Sequence, residues 1–546
     1  MMRHRVTVGG ALRCFTNRIG AAVVGMMLLP AGAGLGGELE LAADLLLRGG
    51  TLHDGSGREA AIGDLAIRAG KIVAVGKLDA LSARRLIDCR GLIVAPGFID
   101  LHTHCDPVGP PAIRKNWNYL AQGCTTVVSG NCGMGAIDVA AYFARLERDG
   151  SGTNVILLAP HGPIREEAMG SENRPPTPAE LERMQNRLDR AMREGAWGMS
   201  TGLIYPPGMY ARTDELVALA KVVARHRGLY VSHIRNEAED LLGALREAIQ
   251  IGRDAGLPVH VSHLKAVGPA NWGSLRSAVA LVEEARAGGM TVTADQYPYI
   301  ATSTNLAAIL FPATELPMGL KDFGRRVKDD VEYQQAVRQL VLRRLKDNPR
   351  IVIASCEQHP DWNGKSLDEL AALLETDVAG AAIRVQADGG ASVVRFVLSE
   401  DDVRYAMAIP WVATGSDGST LVPEPGVVPH PRSFGTFPRK LGYYALRERV
   451  LPLAQAIRSA SGLPADILRL PDRGYLRPGC VADIVVFDPE SFVDRATFDD
   501  PQQYASGVRW LFLAGQAAIA DGQAAERLYG RPLRHPTASS PPGNTP

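Results

Sequence analysis

The sequence lacks an excess of charge of either sign. Its 546 residues contain 59 Lys and Arg against 59 Asp and Glu, so the formal net charge at pH 7 is zero. A protein that binds nucleic acid through its phosphates carries a basic surface, so this balance argues against a nucleic-acid partner. With 46% hydrophobic and 22% charged residues, the composition is that of a globular protein rather than of a disordered chain.

Cysteine is also scarce, and its count is odd. Seven cysteines in a chain of this length do not make a disulfide scaffold, and an odd number cannot pair fully. Long apolar runs are missing as well, since the run Ile19–Pro30 is too short and too rich in glycine for a membrane span. We therefore expect neither a disulfide-stabilised module nor a membrane-spanning segment.

The N-terminus nevertheless has the order of a secretory signal. Four arginines precede the apolar run, and the small residues Ala31-Gly32-Ala33 follow it, as at a cleavage site. A disordered extension or a misassigned start gives the same pattern, so residues 1–37 are predicted to be a signal peptide or a disordered extension. The protein is expected to be periplasmic or secreted if the signal is real, and cytoplasmic otherwise.

Both ends of the remaining chain have the texture of antiparallel β-structure. Short β-prone segments separated by glycine turns occupy residues 38–95 and return at 470–530. We expect these two parts to pair into one small β-sandwich domain. Residues 531–546 are rich in proline and serine and are predicted to be a disordered tail.

Residues 96–469 have a different pattern, in which short apolar runs alternate with helical stretches. This alternation is typical of βα units and a parallel sheet. Eight such units favour an α/β fold of the (β/α)₈ TIM-barrel type. The eight runs are Leu92–His104, Cys124–Cys132, Asn154–His161, Trp197–Leu203, Leu229–Arg235, Pro258–Lys265, Met290–Tyr297 and Trp411–Asp417.

The seventh and eighth runs are much farther apart than a βα unit requires. An insertion is therefore predicted at about residues 306–405, with a helix over Val327–Asp347 and an extra strand over Arg350–Ala354. An insertion at this end of a barrel is either a lid that determines substrate specificity or a structural decoration. The sequence favours neither.

Five of the eight runs end in side chains that an apolar strand does not need. These side chains are His102, His104, Cys132, His233, His263 and Asp417. Taken singly, each has a plainer interpretation: a buried Cys packs, a lone His forms a hydrogen bond, and an Asp caps a helix. Together they lie at the carboxyl ends of the strands, where barrel enzymes hold their active sites, and their N, S and O atoms suit zinc. The set predicts a metal site, with Asp417 as a further candidate for a general base.

The segments that carry these residues resemble the amidohydrolase superfamily. The segment Pro96-Gly-Phe-Ile-Asp-Leu-His-Thr-His104 is similar to its first-strand motif. Within the superfamily, the chain resembles the N-acyl-D-amino-acid deacylases, or D-aminoacylases. Four segments carry this resemblance: Gly130-Asn-Cys132-Gly, Ser232-His-Ile-Arg-Asn-Glu237, Asp295-Gln-Tyr-Pro-Tyr299, and Gly415-Ser-Asp-Gly followed by His430-Pro-Arg432.

The resemblance implies a role for each of these residues. His233, His263 and Cys132 would hold a tightly bound zinc ion, while His102, His104, Cys132 and Asp417 would form a second, weaker or optional metal position. Asp417 would also be the catalytic acid and base. Lys265, Tyr297 and Arg432 would bind the carboxylate of a small N-acyl amino acid substrate, although Arg432 taken alone reads as a surface residue and Tyr297 as core packing.

The implied reaction is zinc-dependent hydrolysis of the amide bond of N-acyl-D-amino acids. An alternative is a cyclic-amide hydrolase of the dihydroorotase or hydantoinase type, in which a carboxylated lysine from the fourth strand usually bridges two metals. The fourth run, Trp197–Leu203, contains no lysine, which disfavours this alternative. A third interpretation is a barrel that has lost its chemistry, but such a barrel should show gaps in the ligand set, and none is seen.

Overall fold

The computed structural model describes residues 43–79, 81–312, 315–316, 320 and 322–537. The predicted signal peptide and residues 538–546 of the predicted tail lie outside this range. Within it, no helix combines the length and the apolar character needed to cross a bilayer. The remainder of the predicted tail is ordered, contrary to prediction. Leu533 donates its N–H to Val155 O at 2.8 Å and accepts a hydrogen bond from Trp197 Nε1 at 2.6 Å, so these residues extend the packed structure.

Both ends of the described chain meet in one nine-stranded sheet. Its strands are β1 (Ala43–Leu52), β2 (Ala61–Arg68), β3 (Lys71–Gly76), β4 (Ala83–Asp88), β5 (Ile93–Pro96), β18 (Ile484–Phe487), β19 (Val508–Leu513), β20 (Gln516–Ala520) and β21 (Gln523–Ala524). The order is β21-β20-β19-β18-β5-β1-β2-β3, with β4 paired to β1. The two chain ends join where β5 and β18 run antiparallel, with Val94 opposite Val486.

This terminal sheet curls back on itself. Lys71 of β3 forms a bridge to Val481, just before β18, so the two flanks of the sheet approach each other. Apolar side chains such as Leu47, Leu65 and Phe512 fill the enclosed space and are almost fully buried. The predicted pairing of the chain ends is therefore present. The expected sandwich would have two separate sheets, whereas here one continuous hydrogen-bonded sheet folds over to form both layers.

Eight parallel strand positions form the barrel. The strands are β6 (Phe98–Asp100), β7 (Cys124–Ser129), β8 and β9 (Asn154–Leu157 and Ala159–Pro160), β10 (Gly198–Gly202), β11 (Leu229–His233), β12 (Val259–Val261), β13 (Val292–Gln296) and β17 (Val412–Thr414). The short strands β8 and β9 are two halves of one position, interrupted at Leu158. Neighbouring strands pair in parallel, and a bridge between Thr103 and Gly418 joins the first position to the last. The predicted (β/α)₈ barrel is confirmed.

The first predicted run divides between the two domains. Strand β5 belongs to the terminal sheet and β6 to the barrel, and Gly97 separates the two strands. A Cβ atom at this position would lie 2.3 Å from Thr125 Cγ2, so only glycine allows β6 to lie so close to β7. This break directs the end of β6, and the histidines that follow it, toward the barrel axis.

Outside the insertion, helices surround the barrel strands and cover their apolar outer face. The α-helices are α1 (Pro111–Arg114), α2 (Trp117–Leu120), α3 (Val139–Asp149), α4 (His161–Met169), α5 (Pro178–Arg193), α6 (Thr213–Arg225), α7 (Leu241–Ala255), α8 (Leu275–Ala287), α9 (Leu306–Leu310), α10 (Phe323–Asp329), α11 (Val331–Leu345), α12 (Leu367–Leu373), α13 (Val378–Ala387), α14 (Glu400–Met407), α15 (Arg432–Pro438), α16 (Leu453–Ala460) and α17 (Gly462–Leu468). A π-helical segment, Arg439–Arg447, follows α15. Side chains from the helices and strands, among them Leu188, Leu216 and Val259, form one continuous core.

The insertion between β13 and β17 is a separate small α/β layer. Strands β14 (Ala301–Asn305), β15 (Ile351–Ser355) and β16 (Ser392–Phe396) form an antiparallel sheet in the order β14-β16-β15. Helices α9 to α13 pack on it around their own apolar core. The predicted helix and strand correspond to α11 and β15. The layer begins at Ala301 and its sheet ends at Phe396, whereas residues 306–405 were predicted. Its C-terminal bound comes before residue 405 because α14 packs against the barrel strand β17 and so belongs to the barrel.

Candidate metal centre and active site

The six predicted metal ligands lie together at the carboxyl end of the barrel. They follow or end strands β6, β7, β11, β12 and β17, as the strand-end pattern predicts. One group comprises His102, Cys132, His263 and Asp417, whose ligand-type atoms all lie within 4.8 Å of one another. His233 Nδ1 is 3.7 Å from Cys132 Sγ, and His104 Nε2 is 3.1 Å from Asp417 Oδ1. The structure therefore brings all six side chains into one cluster.

Cys132 lies at the centre of this cluster. Its Sγ atom is 3.3 Å from His102 Nε2, 3.7 Å from His233 Nδ1 and 3.7 Å from His263 Nε2. Burial opposes ionisation of the thiol, but the charge of His102 and hydrogen bonds from the surrounding imidazoles outweigh it and hold the pKa of Cys132 well below its usual range. The surrounding imidazoles thus favour the thiolate form of Cys132, the form that binds a metal.

Three of the cluster residues have left-handed backbone conformations. The φ angles are +52° at Cys132, +37° at His263 and +52° at Asp417, a region that costs a residue with a side chain about 1–3 kcal/mol. Each residue turns the chain immediately after its strand, which points the side chain into the cluster. Gly202 makes room for this turn in β10, because a Cβ atom there would lie 2.1 Å from Cys132 O.

Asp295, on β13, is a buried hydrogen-bond acceptor beneath the cluster. Its Oδ2 atom lies 3.2 Å from His102 Nδ1 and 2.9 Å from His260 Nε2, and its Oδ1 accepts the His263 N–H at 2.9 Å. Burial opposes ionisation, but the charge of His102 and these hydrogen bonds hold the pKa of Asp295 below its usual range. Because the carboxylate accepts the Nδ1–H of His102, Nε2 faces Cys132 and Asp417 and is the nitrogen that would bind a metal once its proton is lost. Asp295 belongs to one of the motifs of the sequence, but no role was predicted for it.

Glu237 is a second carboxylate that the sequence analysis did not assign. Its Oε1 atom is 2.9 Å from His263 Nδ1 and 2.6 Å from Lys265 Nζ, and its Oε2 atom is 3.7 Å from His233 Nε2. Burial opposes its ionisation, but the charges of Lys265 and the two histidines keep its pKa well below the usual range. His233, Glu237 and His263 form another group with metal-binding geometry. Glu237 lies four residues after His233, and this spacing is the feature of the sequence that could have identified it as part of the site.

Asp417 is held as a carboxylate by a cation and by imidazoles. Its Oδ2 atom is 2.6 Å from Arg432 Nη1, and its Oδ1 atom is 3.4 Å from His102 Nε2. Burial raises the pKa of Asp417, but the charges of Arg432 and His102 and the hydrogen bond from His104 outweigh burial and hold it well below the usual range. The ionised form can accept a proton, as a general base must.

A cavity of about 530 Å³ opens above the cluster, a volume within the range of small-molecule sites. The three predicted substrate-binding residues, Lys265, Tyr297 and Arg432, border this cavity. The insertion supplies much of the opposite wall, through β14 and β16. The structure thus brings the predicted substrate contacts and metal ligands to one site, and it places the insertion where a specificity element would lie.

Tyr205 is a wall residue that sequence reasoning missed. Its ring contacts that of His233, with centroids 5.3 Å apart, and its hydroxyl lies 3.0 Å from Thr304 Oγ1 of the insertion. The hydrogen bond spans the cavity between the loop after β10 and strand β14. The position of Tyr205 just after the fourth predicted strand is the signal that could have identified it.

Two other residues near strand ends do not enter the cavity. His161 is fully buried at the start of α4, where its Nε2 atom is 3.0 Å from Glu215 Oε1. The Cys105 thiol faces Asn116, away from the cluster, as expected from its position next to His104. The six cysteines of the described residues are all buried and unpaired.

Comparison with known proteins gives matches over nearly the whole chain. A family model described as the amidohydrolase family matches residues 85–519. A D-aminoacylase of Alcaligenes xylosoxydans xylosoxydans is 34% identical over 517 residues, which cover 89% of this chain and 98% of the relative. An N-acyl-D-glutamate deacylase of the same organism is 35% identical over 513 residues, which cover 90% of this chain and 96% of the relative.

A solved structure also matches. The crystal structure of N-acyl-D-glutamate deacylase from Bordetella bronchiseptica, complexed with zinc and a phosphonate mimic of the tetrahedral intermediate, superimposes with a TM-score of 0.76 at 36% identity. The match covers 90% of this chain and 99% of that structure.

Proposed function

Because the chain belongs to the amidohydrolase family, we propose that it is a zinc-dependent hydrolase that cleaves the amide bond of N-acyl-D-amino acids. The products are a carboxylate and a free D-amino acid. The observation that carries the proposal is the buried cluster of His102, Cys132, His263 and Asp417 at the floor of the cavity, in a chain with full-length deacylase relatives.

The chemistry of the donors supports a zinc ion. A thiolate and imidazoles are the ligands that zinc favours, and a metal must displace protons from them. His233 turns Nδ1 and His263 turns Nε2 toward Cys132 Sγ, each at 3.7 Å, a separation that suits two ligands of one tetrahedral zinc ion. His233, His263 and Cys132 would hold the tighter ion. His102, His104, Cys132 and Asp417 would hold a weaker one.

The bound zinc would polarise the amide carbonyl and lower the pKa of water toward neutrality. Asp417 accepts the proton of the attacking water at a carboxylate oxygen and then delivers it to the departing amine nitrogen. Arg432 and His104 keep Asp417 ionised and fix its direction. The fourth strand, β10, contains no lysine, so it offers no bridging group of the cyclic-amide hydrolase type.

Lys265, Tyr297 and Arg432 would bind the α-carboxylate of the substrate. The ring of Tyr297 lies between the two cations, with its centroid 5.8 Å from Lys265 Nζ and 5.1 Å from Arg432 Cζ. A carboxylate beside this ring would meet a point charge on one side and a planar guanidinium on the other. The fixed position of the α-carboxylate relative to Asp417 would then favour one enantiomer.

The test is release of free amine by the zinc-loaded protein from the D- and L-forms of N-acetylmethionine and N-acetylglutamate. We expect hydrolysis of D-forms only and a loss of about 10²–10⁴-fold in kcat for Asp417→Asn. Asp189→Asn, which removes a carboxylate on α5 outside the cavity, is the matched control and should keep full activity. Zinc-containing protein that releases no amine from any of these substrates, or that cleaves cyclic amides instead, contradicts the proposal.

A further inference from the structure

Three cationic side chains border the cavity, and one of them lacks a countercharge. Lys265 is paired with Glu237, and Arg432 with Asp417, each over 2.6 Å. Arg395, which β16 of the insertion contributes, forms no ion pair with any carboxylate of the described residues. The cavity therefore contains one cation without a carboxylate in direct contact, because Glu237, whose charge acts on Arg395, is paired with Lys265.

Arg395 is held in place by neutral groups. Its Nε donates to Thr302 Oγ1 at 2.8 Å, and its Nη1 donates to Asn348 Oδ1 at 3.1 Å. These hydrogen bonds orient the guanidinium without neutralising it, and donors remain for a further acceptor. Burial lowers the pKa of Arg395, but a guanidinium keeps its proton in proteins. A positioned, partly buried charge of this kind is stabilised when an anion binds.

Arg395 belongs to a different element from the residues of the predicted α-carboxylate site, although its charge is close enough to Tyr297 to oppose the rise that burial causes in the pKa of that hydroxyl. Lys265 and Arg432 belong to the barrel, on either side of Tyr297, whereas Arg395 belongs to the sheet of the insertion. The two arginines contact different groups of β14: Arg432 Nη2 donates to the backbone Ser303 O at 3.3 Å, while Arg395 contacts the side chain of Thr302. A ligand that reached both sites would carry two separate negative groups.

We propose that Arg395 binds a carboxylate in the substrate side chain, so that the preferred substrates are N-acyl derivatives of acidic D-amino acids. This inference rests on the proposed function and narrows its substrate class. The carboxylate of the side chain accepts hydrogen bonds from the guanidinium of Arg395, while Lys265, Tyr297 and Arg432 bind the α-carboxylate. An apolar side chain would leave the charge of Arg395 desolvated and unpaired, so N-acyl derivatives of apolar D-amino acids should be poorer substrates.

The experiment compares N-acetyl-D-glutamate with N-acetyl-D-glutamine, which have nearly the same shape but differ by one charge. We expect the zinc-loaded protein to favour glutamate in kcat/KM by at least about 10-fold. Arg395→Met should lower kcat/KM for glutamate by about 10–100-fold, mainly through KM, because a hydrogen bond to a charged group is lost. For glutamine, kcat/KM should change by less than about 3-fold. Arg395→Lys should recover part of the loss, since it restores a charge without the planar guanidinium.

The control is Arg384→Gln, which removes an exposed arginine on α13 of the same insertion, away from the cavity. Equal losses for glutamate and glutamine in Arg395→Met would overturn the inference, because Arg395 would then serve the shared α-carboxylate or the fold. A native protein that prefers glutamine or methionine would overturn it too, although the deacylase function would stand.

Failure of the deacylase function gives a different result. If zinc-containing protein hydrolyses no N-acyl-D-amino acid, calorimetric titration with the same two compounds still tests Arg395. Tighter binding of the glutamate compound by the native protein, lost in Arg395→Met, supports an acidic-ligand site. Equal affinity for both compounds overturns it.

Discussion

Asp295 holds His102 through a buried hydrogen bond between Oδ2 and Nδ1 that is 3.2 Å long. Neither side chain has any exposure to solvent. The carboxylate thereby selects which imidazole nitrogen faces Cys132 and Asp417. It acts on the cluster through His102 and through the backbone N–H of His263, so its contribution is to position the ligands.

Asp295→Asn is expected to weaken metal binding by about 10–100-fold, because an amide is a poorer acceptor and leaves the His102 tautomer undetermined. Competition with a chromogenic chelator measures the affinity. Asp189→Asn is the matched control, since it breaks a His–carboxylate contact of 2.7 Å with His226 outside the cavity. Unchanged affinity in Asp295→Asn would show that the cluster does not need this carboxylate.

Chelation should remove activity and lower the melting temperature together. At a free metal concentration of 100 times Kd, the bound metal stabilises the fold by about 2.7 kcal/mol. Its removal also leaves the neighbouring imidazoles and the Cys132 thiolate without the ion that they would bind together. Scanning calorimetry of native and chelated protein gives the difference, and added Zn²⁺ should restore both properties. Cys132→Ser should show little zinc-dependent stabilisation. Metal-free protein with unchanged melting temperature and full activity would contradict the metal assignment.

Glu215→Gln should destabilise the fold by about 3 kcal/mol. Glu215 is buried between Arg165 Nε at 3.1 Å and His161 Nε2 at 3.0 Å, so its neutralisation leaves Arg165 without a countercharge in the interior. Denaturant unfolding gives the free energy. The control is Glu448→Gln, which weakens a partly exposed contact with Arg404 and should cost less than about 1 kcal/mol. Similar effects of both variants would refute this account.

Lys440 makes stability depend on pH. It lies in the π-helical segment, fully buried and with no hydrogen-bond partner for Nζ among the described residues, and burial lowers its pKa to about 7. In the unfolded chain the pKa is 10.5. Between pH 7 and pH 10.5 the unfolded state binds more protons at Lys440 than the folded state does. The contribution of Lys440 to the free energy of unfolding is therefore lowest below about pH 7 and rises toward pH 10.5.

Lys440→Met should therefore stabilise the protein at pH 7 by about 1–3 kcal/mol, because it removes an unsatisfied buried polar group. The advantage of the variant over the native protein should shrink as pH rises from 7 to 10. Urea unfolding of both proteins at several pH values measures this difference. An advantage that stays constant with pH would mean that Lys440 keeps its ordinary pKa.

The strand-end residues were predictable because barrel topology brings the ends of distant strands to one face. His233 and His263 lie one βα unit apart, and any parallel barrel places two such residues side by side. Helix α11 and strand β15 of the insertion were likewise evident from local patterns, which depend only on neighbouring residues.

The supporting contacts were not predictable, because each depends on a partner far away in the sequence. Asp295 meets His102 across 193 positions, and no local pattern records that distance. Arg395 lines the cavity because the inserted sheet packs above the cavity, and this packing cannot be read from the local sequence. Residues 531–537 of the predicted tail were mispredicted for a related reason: their composition favours disorder, but Leu533 and His535 pack against Trp197.

The pairing of β5 with β18 also constrains how the protein is made. Strand β5 leaves the ribosome early, whereas its partner is among the last segments to be synthesised, and the barrel too is joined only when Gly418 reaches Thr103. Until then the nascent chain exposes unpaired strand edges, which are prone to associate with other chains. Synthesis of almost the whole polypeptide must therefore precede completion of the native fold.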